Sequence, residues 1–254
     1  MFLEGKRIRR LIIRPGAIGD LIVSLPALEC LKTDYLEVWT VAVNVPLIRF
    51  ADRVRPISST GLDLVGITEG PIEALREFDS IVSWYGANRE DFREAVAGLP
   101  FQFFRALPPD SSGVHATDFY LSQVREIASC EGTRIPRIPC AVNRENFAVI
   151  HPFSGSAKKN WPIEKFRARA AEMEKIMPVH WCAGRQDPPL EGAVRIDDLY
   201  ELALWLARAR LYLGNDSGIT HLAAAVGTPV IAMFGPSDPA VWVPRGPNVR
   251  VERF

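Results

Sequence analysis

Short apolar runs alternate with longer amphipathic segments along most of the chain. In the first half, residues 8–14, 37–43, 80–84 and 101–105 are apolar runs that predict strands covered on both faces. The segments between them have the spacing of apolar residues that predicts helices: residues 20–32, 72–78, 90–97 and 115–129. Residues 54–68 follow neither the helical nor the strand spacing. Such alternation is typical of an α/β fold, in which helices cover the faces of a parallel sheet.

The pattern is interrupted once and then restarts. Residues 130–146 contain Gly132, Pro136 and Pro139, which break any regular period, and we expect a linker there. After it, four apolar runs predict strands: residues 147–150, 179–182, 210–213 and 229–234. Three segments predict helices: one that begins at Pro162, residues 198–208 and residues 217–226. We therefore expect two domains, residues 1–140 and residues 141–254.

Composition and charge narrow the class of protein. The 254 residues are 48% hydrophobic and 24% charged, which suits a globular core. Thirty Lys and Arg residues balance thirty Asp and Glu residues, so the chain has no basic field to attract a nucleic acid. The four cysteines are far apart and form no Cys-x-x-Cys pair, which argues against a zinc site and a disulfide framework.

The sequence contains no signal for membrane insertion or export. No apolar stretch approaches the roughly 18–20 residues of a membrane-spanning helix. Residues 1–10 are charged and lead into only a short apolar run, without a small-residue cleavage site. We therefore expect a cytoplasmic protein that touches a membrane at its surface and does not cross it.

Ligands of open parallel sheets bind at the carboxyl ends of the strands, so the loops that leave the apolar runs are the candidates for chemistry. The first is residues 14–20 (RPGAIGD), whose two glycines permit a tight turn. Asp20 lies at a helix start, where its carboxylate either caps exposed N–H groups, the commoner role, or acts as a general base towards an acceptor hydroxyl. The loop lacks the Gly-x-Gly-x-x-Gly spacing of dinucleotide-binding folds, which disfavours a nicotinamide oxidoreductase.

The second loop, residues 151–162 (HPFSGSAKKNWP), combines small hydroxyl residues, a glycine and two lysines. Hydroxyl and backbone N–H groups can surround phosphate oxygens while an ammonium supplies a positive charge. Paired lysines are more often simply solvated, but this pair follows a buried strand and precedes a helix. Trp161 is expected to anchor the loop by packing.

The third loop, residues 214–221 (GNDSGITH), lies between a strand and a helix. The N–H groups and the dipole at the helix start favour an anion, and Gly218 allows a phosphate to approach closely. Asp216 or Ser217 could simply cap the helix, and this role alone would account for the loop. If an anion binds at the helix start instead, the Asp216 carboxylate is free to accept hydrogen bonds from sugar hydroxyls. His221, one turn beyond Gly218, either contacts the same ligand or is a packed histidine.

In their order and separation, the three loops resemble glycosyltransferase family 9, the heptosyltransferases that build the lipopolysaccharide inner core from ADP-activated heptose. Residues 15–28 (PGAIGDLIVSLPAL) look like the family's N-terminal loop and helix. Residues 154–162 end in Lys-x-Trp-Pro, like its donor loop. Residues 199–239 (LYELALWLARARLYLGNDSGITHLAAAVGTPVIAMFGPSDP) are similar throughout to its donor-domain signature.

The resemblance implies a GT-B fold, in which two Rossmann-like domains face each other across a cleft. The acceptor is then expected on the N-terminal side and the nucleotide sugar on the C-terminal side. Compared with the family, we expect a short N-terminal domain and no C-terminal crossover helix. By position, Asp20 matches the catalytic base and Lys159 the lysine that contacts the diphosphate. The other matching positions are donor contacts to the phosphates, the ribose or the sugar: Ser154, Gly155, Asp187, Asp216, Ser217, Gly218 and His221.

The resemblance therefore predicts an inverting glycosyltransferase. Its donor is expected to be a nucleotide-diphosphate sugar, ADP-linked and heptose-like, and its acceptor a hydroxyl of a cell-envelope glycan or glycolipid such as lipopolysaccharide core. The scheme needs neither a metal nor a further cofactor. The alternative is a catalytically silent nucleotide-sugar-binding or assembly protein of the same family, which would have no need of a carboxylate at Asp20.

Overall fold

The computed structural model describes residues 7–68, 70–109 and 113–254, and their strands form two five-stranded sheets. The first sheet has the order β3-β2-β1-β4-β5 and the second the order β10-β9-β8-β6-β7. All the strand pairs are parallel. The strands are β1 (Arg9–Arg14), β2 (Tyr35–Thr40), β3 (Arg53–Pro56), β4 (Ser80–Ser83), β5 (Phe101–Phe103), β6 (Ala148–His151), β7 (Val179–Trp181), β8 (Leu211–Asn215), β9 (Val230–Phe234) and β10 (Val249–Arg253).

Helices connect most of the strands, and the α/β class predicted from the alternation is confirmed. The helices are α1 (Ile18–Cys30), α2 (Gly70–Leu75), α3 (Glu90–Ala95), α4 (Ala116–Val124), α5 (Ile163–Glu174), α6 (Leu199–Arg208), α7 (Gly218–Ala225) and α8 (Pro239–Trp242). None of these described helices has the length and apolar character needed to cross a bilayer.

The strand orders place a crevice at one position in each sheet. In the first sheet the winding changes direction between β1 and β4, and in the second sheet it changes between β6 and β8. Ligands of open α/β sheets bind at such switch points, outside the carboxyl ends of the strands. The loops after β1, β6 and β8 leave the sheets there, and they are the three loops singled out in the sequence.

Several boundaries differ from those predicted. The strand predicted at residues 37–43 ends at Thr40, because the chain then turns through a 3-10 segment whose Asn44 side chain donates to the Gly16 carbonyl (3.0 Å). The helix predicted at residues 115–129 ends at Val124. The edge strands β3 and β10 were not predicted, since their charged residues hide the apolar signal that buried strands give.

The two sheets share one apolar core. A single cluster of buried side chains includes Leu28 of α1, Val149 of β6, Leu206 of α6 and Ala224 of α7. Residues 130–146 contain no described helix or strand, and Ile138 in this segment is buried with its N–H bonded to the Ala225 carbonyl (3.1 Å). The segment predicted as a linker therefore packs along the second sheet's helices.

Polar contacts also join the two halves of the chain. Arg245 donates to both carboxylate oxygens of Asp118 on α4, at 2.5 and 3.0 Å. His115, which caps α4 by accepting the Thr117 N–H at Nδ1, donates from Nε2 to the Val243 carbonyl (2.8 Å). These bonds fix the segment that follows α8 against the first half.

Candidate functional site

Asp20 lies on the first turn of α1, at the carboxyl edge of the first sheet. Its Oδ2 accepts the N–H of Ala17 at 3.1 Å, so the carboxylate does cap the helix. No described residue donates a hydrogen bond to its other oxygen, Oδ1. One oxygen therefore fixes the carboxylate, and the other remains available to a ligand.

The loop that carries Asp20 rests on a buried arginine. The Arg14 side chain is only 1% exposed and donates to Ser24 Oγ (3.0 Å) and to the carbonyls of Pro15 and Asp20 (2.8 Å each). Its guanidinium lies 4.7 Å from the centre of the Tyr120 ring. Gly16 has a φ of 120°, and a Cβ there would meet Asp20 Cβ at 3.0 Å, so this turn requires glycine. The sequence did not single out Arg14, because a strand-end arginine carries no distinctive motif.

Lys159 and Asp216 come together from the loops after β6 and β8. Lys159 Nζ donates to Asp216 Oδ2 at 2.7 Å, and the side chains are 37% and 5% exposed, respectively. Asp216 does not cap α7, because Ser217 Oγ accepts the N–H of Thr220 (3.3 Å) instead. Of the two capping residues that the sequence allowed, the structure selects Ser217 and leaves the Asp216 carboxylate to the lysine.

Asn215 holds these two loops in register. This residue is completely buried, and its Nδ2 donates to the Pro152 carbonyl (2.7 Å) while its Oδ1 accepts the Trp161 N–H (2.8 Å). The Trp161 ring packs edge-to-face on Phe166 at 5.0 Å, in agreement with its expected role as a packing anchor. Ser154 Oγ lies 2.8 Å from the Ser156 carbonyl and closes the turn in which the exposed Gly155 lies.

The N-termini of α1 and α7 meet at two glycines. A Cβ on Gly218 would lie 2.8 Å from Ile18 Cβ and 3.0 Å from the Gly19 nitrogen, and a Cβ on Gly19 would lie 3.6 Å from Gly218 Cα. Glycine at position 218 thus permits close approach of α1 in this structure. Both helix starts carry a partial positive charge, so an anion near this junction is favoured by two dipoles.

His221 lies behind the junction of α1 and α7. The side chain is 4% exposed, and its Cδ2 lies 3.6 Å from the position of a Cβ on Gly19. Burial lowers the pKa of His221 to about 4, against the smaller opposing effect of the Asp216 charge. The imidazole is therefore neutral near pH 7 and adds no positive charge to the site.

Asp187 lies in the loop after β7, next to the loops of β6 and β8 in the strand order. Its Oδ2 accepts hydrogen bonds from His151 Nε2 (3.0 Å) and from the Gly184 N–H (2.6 Å). The hydrogen bond from His151 is the main cause that lowers the pKa of Asp187, and the Gly184 N–H adds to it. His151 is 3% exposed and its Nδ1 has no partner among the described residues. The sequence placed His151 in the loop but gave it no role.

The structure thus gathers most of the predicted residues at one edge of the second sheet. The loops after β8, β6 and β7 are adjacent, and they carry Asp216, Lys159 and Asp187. The α1–α7 contact brings the Asp20 helix to the same edge. Among the described residues there is no group of three or more His, Cys, Asp or Glu side chains arranged to hold a metal ion.

Comparisons with known proteins agree with the fold. Residues 112–253 match the model of a family described as glycosyltransferase family 9 (heptosyltransferase). Lipopolysaccharide heptosyltransferase 3 of Escherichia coli is 31% identical over 121 residues, which is 41% of this chain but only 36% of that protein's length.

Solved structures show the same architecture over nearly the whole chain. The glycosyl transferase family 9 protein of Veillonella parvula DSM 2008 superposes with a TM-score of 0.77 at 17% identity, covering 99% of this chain and 87% of its own. E. coli heptosyltransferase WaaC, solved with ADP and with ADP-2-deoxy-2-fluoro heptose, has a TM-score of 0.69 at 18% identity and covers 97% of this chain and 93% of its own. At these identities the likeness shows the fold alone.

Proposed function

This chain belongs to glycosyltransferase family 9, and on that premise we propose that it transfers a heptose-like sugar from an ADP-linked donor to a hydroxyl of a cell-envelope glycan such as lipopolysaccharide core. The first half, residues 1–140, is assigned to the acceptor and the second half, residues 141–254, to the donor. The names of the relatives support this choice of substrates: one acts on lipopolysaccharide, and another is solved with ADP and an ADP-heptose analogue.

The observation that carries the proposal is the 2.7 Å contact between Lys159 and Asp216 beside the start of α7. The nearly buried Asp216 carboxylate needs a partner for its charge, and here the Lys159 ammonium neutralises it. A diphosphate that binds at the helix start would take over Lys159 as its counter-ion. The Asp216 carboxylate would then be free to accept hydrogen bonds from the hydroxyls of the donor sugar.

The remaining donor contacts follow from the loops around this pair. Ser217 and Gly218 present the first N–H groups of α7, and His221 supports them from behind as a neutral imidazole. Ser154 and Gly155 form the outer turn beside Lys159. Asp187, kept ionised by His151, is suited to accept hydrogen bonds from the ribose hydroxyls.

Asp20 is assigned the role of general base. Its free Oδ1 takes the proton of the acceptor hydroxyl, whose oxygen attacks the anomeric carbon from the face opposite the diphosphate. The bond to the leaving nucleotide diphosphate breaks as the new glycosidic bond forms, so the configuration inverts. Lys159 and the dipole of α7 stabilise the negative charge that builds up on the departing phosphate.

The decisive experiment replaces Asp20 by Asn. An Asn side chain keeps an oxygen that can accept the Ala17 N–H, so α1 stays capped, but it cannot take a proton. We expect sugar transfer to fall by roughly 10²–10⁴-fold while ADP affinity, measured by calorimetry, stays unchanged. Asp198→Asn is the matched control, because Asp198 caps α6 through the same kind of bond and should leave both measurements unchanged.

The same variant separates the enzyme from a silent nucleotide-sugar binder. A protein that binds ADP and ADP-heptose but transfers no sugar, in the wild type as in Asp20→Asn, would identify the silent binder. Equal transfer by wild type and variant would remove Asp20 from the mechanism. A thermal-shift screen of nucleotide diphosphates and their sugars identifies the donor, because a ligand that binds only the native state raises the melting temperature.

The site of action is proposed to be the cytoplasmic surface of the inner membrane, where a glycolipid acceptor would be presented. Contact with the bilayer would then be peripheral. Co-sedimentation with vesicles that contain the acceptor glycolipid tests this, with vesicles of the same lipids lacking the acceptor as the control. Equal binding to both would show that the acceptor does not recruit the protein.

A further inference from the structure

A cavity of about 400 Å³ lies beside Lys159, between the two halves of the chain. Pro108 and Pro109, which follow β5, form one side of it. The loop after β9 and the short helix α8 form the other side, with Asp238 and Trp242. Its volume falls in the range of small-ligand sites, and the roles assigned above use only Lys159 of its lining.

The side chains that line this cavity suit one pyranose ring. A pyranose has an apolar C–H face, which a half-buried indole such as that of Trp242 can cover, and a rim of hydroxyls, which need charged or polar partners. Asp238 uses Oδ1 to cap α8 by accepting the Ala240 N–H (2.9 Å), and no described residue donates to its Oδ2. The Lys159 ammonium, 37% exposed, also lines the cavity and supplies a donor.

Contacts with both halves of the chain fix the wall of the cavity that carries Asp238 and Trp242. At its beginning, Asp238 and Pro239 start α8, and the Trp242 N–H donates to the Asp238 carbonyl (3.0 Å). At its end, the Val243 carbonyl accepts from His115 and Arg245 pairs with Asp118. A wall fixed in this way is preorganised, so little conformational entropy is lost when a ligand binds.

We propose that Asp238 and Trp242, together with Lys159, form a subsite for one pyranose ring, either the donor sugar or the acceptor residue that receives it. The inference rests on the proposed function, since Lys159 is the group assigned to the diphosphate. A sugar attached to that diphosphate, or the acceptor ring that attacks it, lies within reach of the cavity. Asp238 accepts hydrogen bonds from its hydroxyls, and Trp242 packs on its face.

Two variants and two ligands test the subsite. Asp238→Asn keeps the oxygen that caps α8 and loses the charge, and Trp242→Phe shortens the aromatic surface. Their matched controls are Asp198→Asn, which also caps a helix, and Trp205→Phe, a half-buried Trp of α6. Calorimetry measures the affinity for ADP and for ADP-2-deoxy-2-fluoro heptose, and steady-state kinetics measures the KM for lipopolysaccharide core oligosaccharide freed of its lipid.

If the subsite holds the donor sugar, Asp238→Asn weakens binding of the ADP-sugar analogue by about 10–100-fold and Trp242→Phe by about 3–10-fold, with ADP affinity unchanged. If it holds the acceptor ring, donor affinity stays unchanged and the KM for the oligosaccharide rises by similar factors. A wild type that binds the analogue, with both variants unchanged in donor affinity and in KM, overturns the subsite alone. A wild type that binds neither nucleotide overturns the proposed function and the subsite with it.

Discussion

At the scale of the residue, Lys159 and Asp216 form an ion pair whose two members differ in exposure. Asp216 is nearly buried, whereas Lys159 is more than a third exposed, so the lysine can reach an anion on the solvent side. The sugar hydroxyls assigned to Asp216 would then replace the hydrogen bond that the lysine gives up. The neighbouring Lys158 is exposed and makes no ion pair with a described residue. Two adjacent lysines of one sequence motif therefore differ in exposure and in their contacts.

That difference leads to a prediction for Lys159→Ala. We expect nucleotide-diphosphate affinity, measured by calorimetry, to fall by about 1.5–3 kcal/mol, because a charge-assisted hydrogen bond to phosphate is lost. Lys158→Ala is the matched control and should retain the affinity of the wild type. Equal losses in the two variants would mean that the loop attracts the phosphates only through its overall charge.

The two interpretations of Asp20, as a helix cap and as a general base, are compatible with each other. The carboxylate caps α1 through Oδ2, as the commoner reading has it, and Oδ1 remains open. The buried Arg14 guanidinium fixes the backbone of the same turn by donating to the Asp20 carbonyl. A rigid position for the carboxylate is what a general base requires, so the cap favours the proposed catalytic assignment.

At the scale of the element, the contact between α1 and α7 determines how the two halves meet. Helices approach this closely only where small residues face each other, and here Gly19 and Gly218 do so. The contact also aligns two helix N-termini at one edge. The same glycines therefore serve the packing and the electrostatics of the site.

Gly218→Ala tests this contact. The new methyl group would lie 2.8 Å from Ile18 Cβ, so α1 and α7 must move apart. We expect a loss of about 1–3 kcal/mol in the free energy of unfolding, measured in urea, together with lower transfer activity. Gly98→Ala is the control, since a Cβ there meets nothing within 4 Å, and stability should change by less than about 0.5 kcal/mol. An unchanged stability in Gly218→Ala would show that the two helices separate readily in solution.

At the scale of the whole molecule, the two sheets behave as parts of one folded unit. They share an apolar core, and bonds from His115 and Asp118 to the segment after α8 join them further. Two buried histidines lie at this junction. Burial lowers the pKa of both His115 and His221, in the latter to about 4.

This burial predicts a loss of stability on mild acidification. Below pH 6.5 the unfolded chain binds a proton at each of these histidines more readily than the folded chain does, so stability is full above pH 6.5 and falls as the pH falls. For His221 the fall extends to about pH 4. For His221 the slope approaches about 1.4 kcal/mol per pH unit, or roughly 3–6 °C in melting temperature. Differential scanning fluorimetry from pH 7 to pH 5 measures it.

His221→Gln should flatten this dependence without abolishing it, because His115 still titrates. His180→Gln, at an exposed histidine of β7, should leave the slope of the wild type unchanged. If His221→Gln retains the full slope, the acid sensitivity arises elsewhere in the molecule.

The sequence by itself determined the α/β class, most of the inner strands and the positions of the three loops to which we assign the site. These features are local: an apolar run of five residues, a glycine-rich turn and a capped helix start each have their cause within a few neighbouring positions. The edge strands β3 and β10 were not predicted, because the arginines in each of them interrupt the apolar run. The edge strands β5 and β7, which contain no charged Lys, Arg, Asp or Glu residue, were predicted.

Only the tertiary structure decided which residues meet. The Lys159–Asp216 pair joins positions 57 residues apart, and the His151–Asp187 pair joins positions 36 residues apart. Strand order creates both pairs, because it places the loops after β6, β7 and β8 side by side. The choice of Ser217 over Asp216 as the cap of α7 was equally open in the sequence. In the structure the Asp216 carboxylate accepts from Lys159 while Ser217 caps the helix, and a linear pattern does not contain the distance between residues 159 and 216.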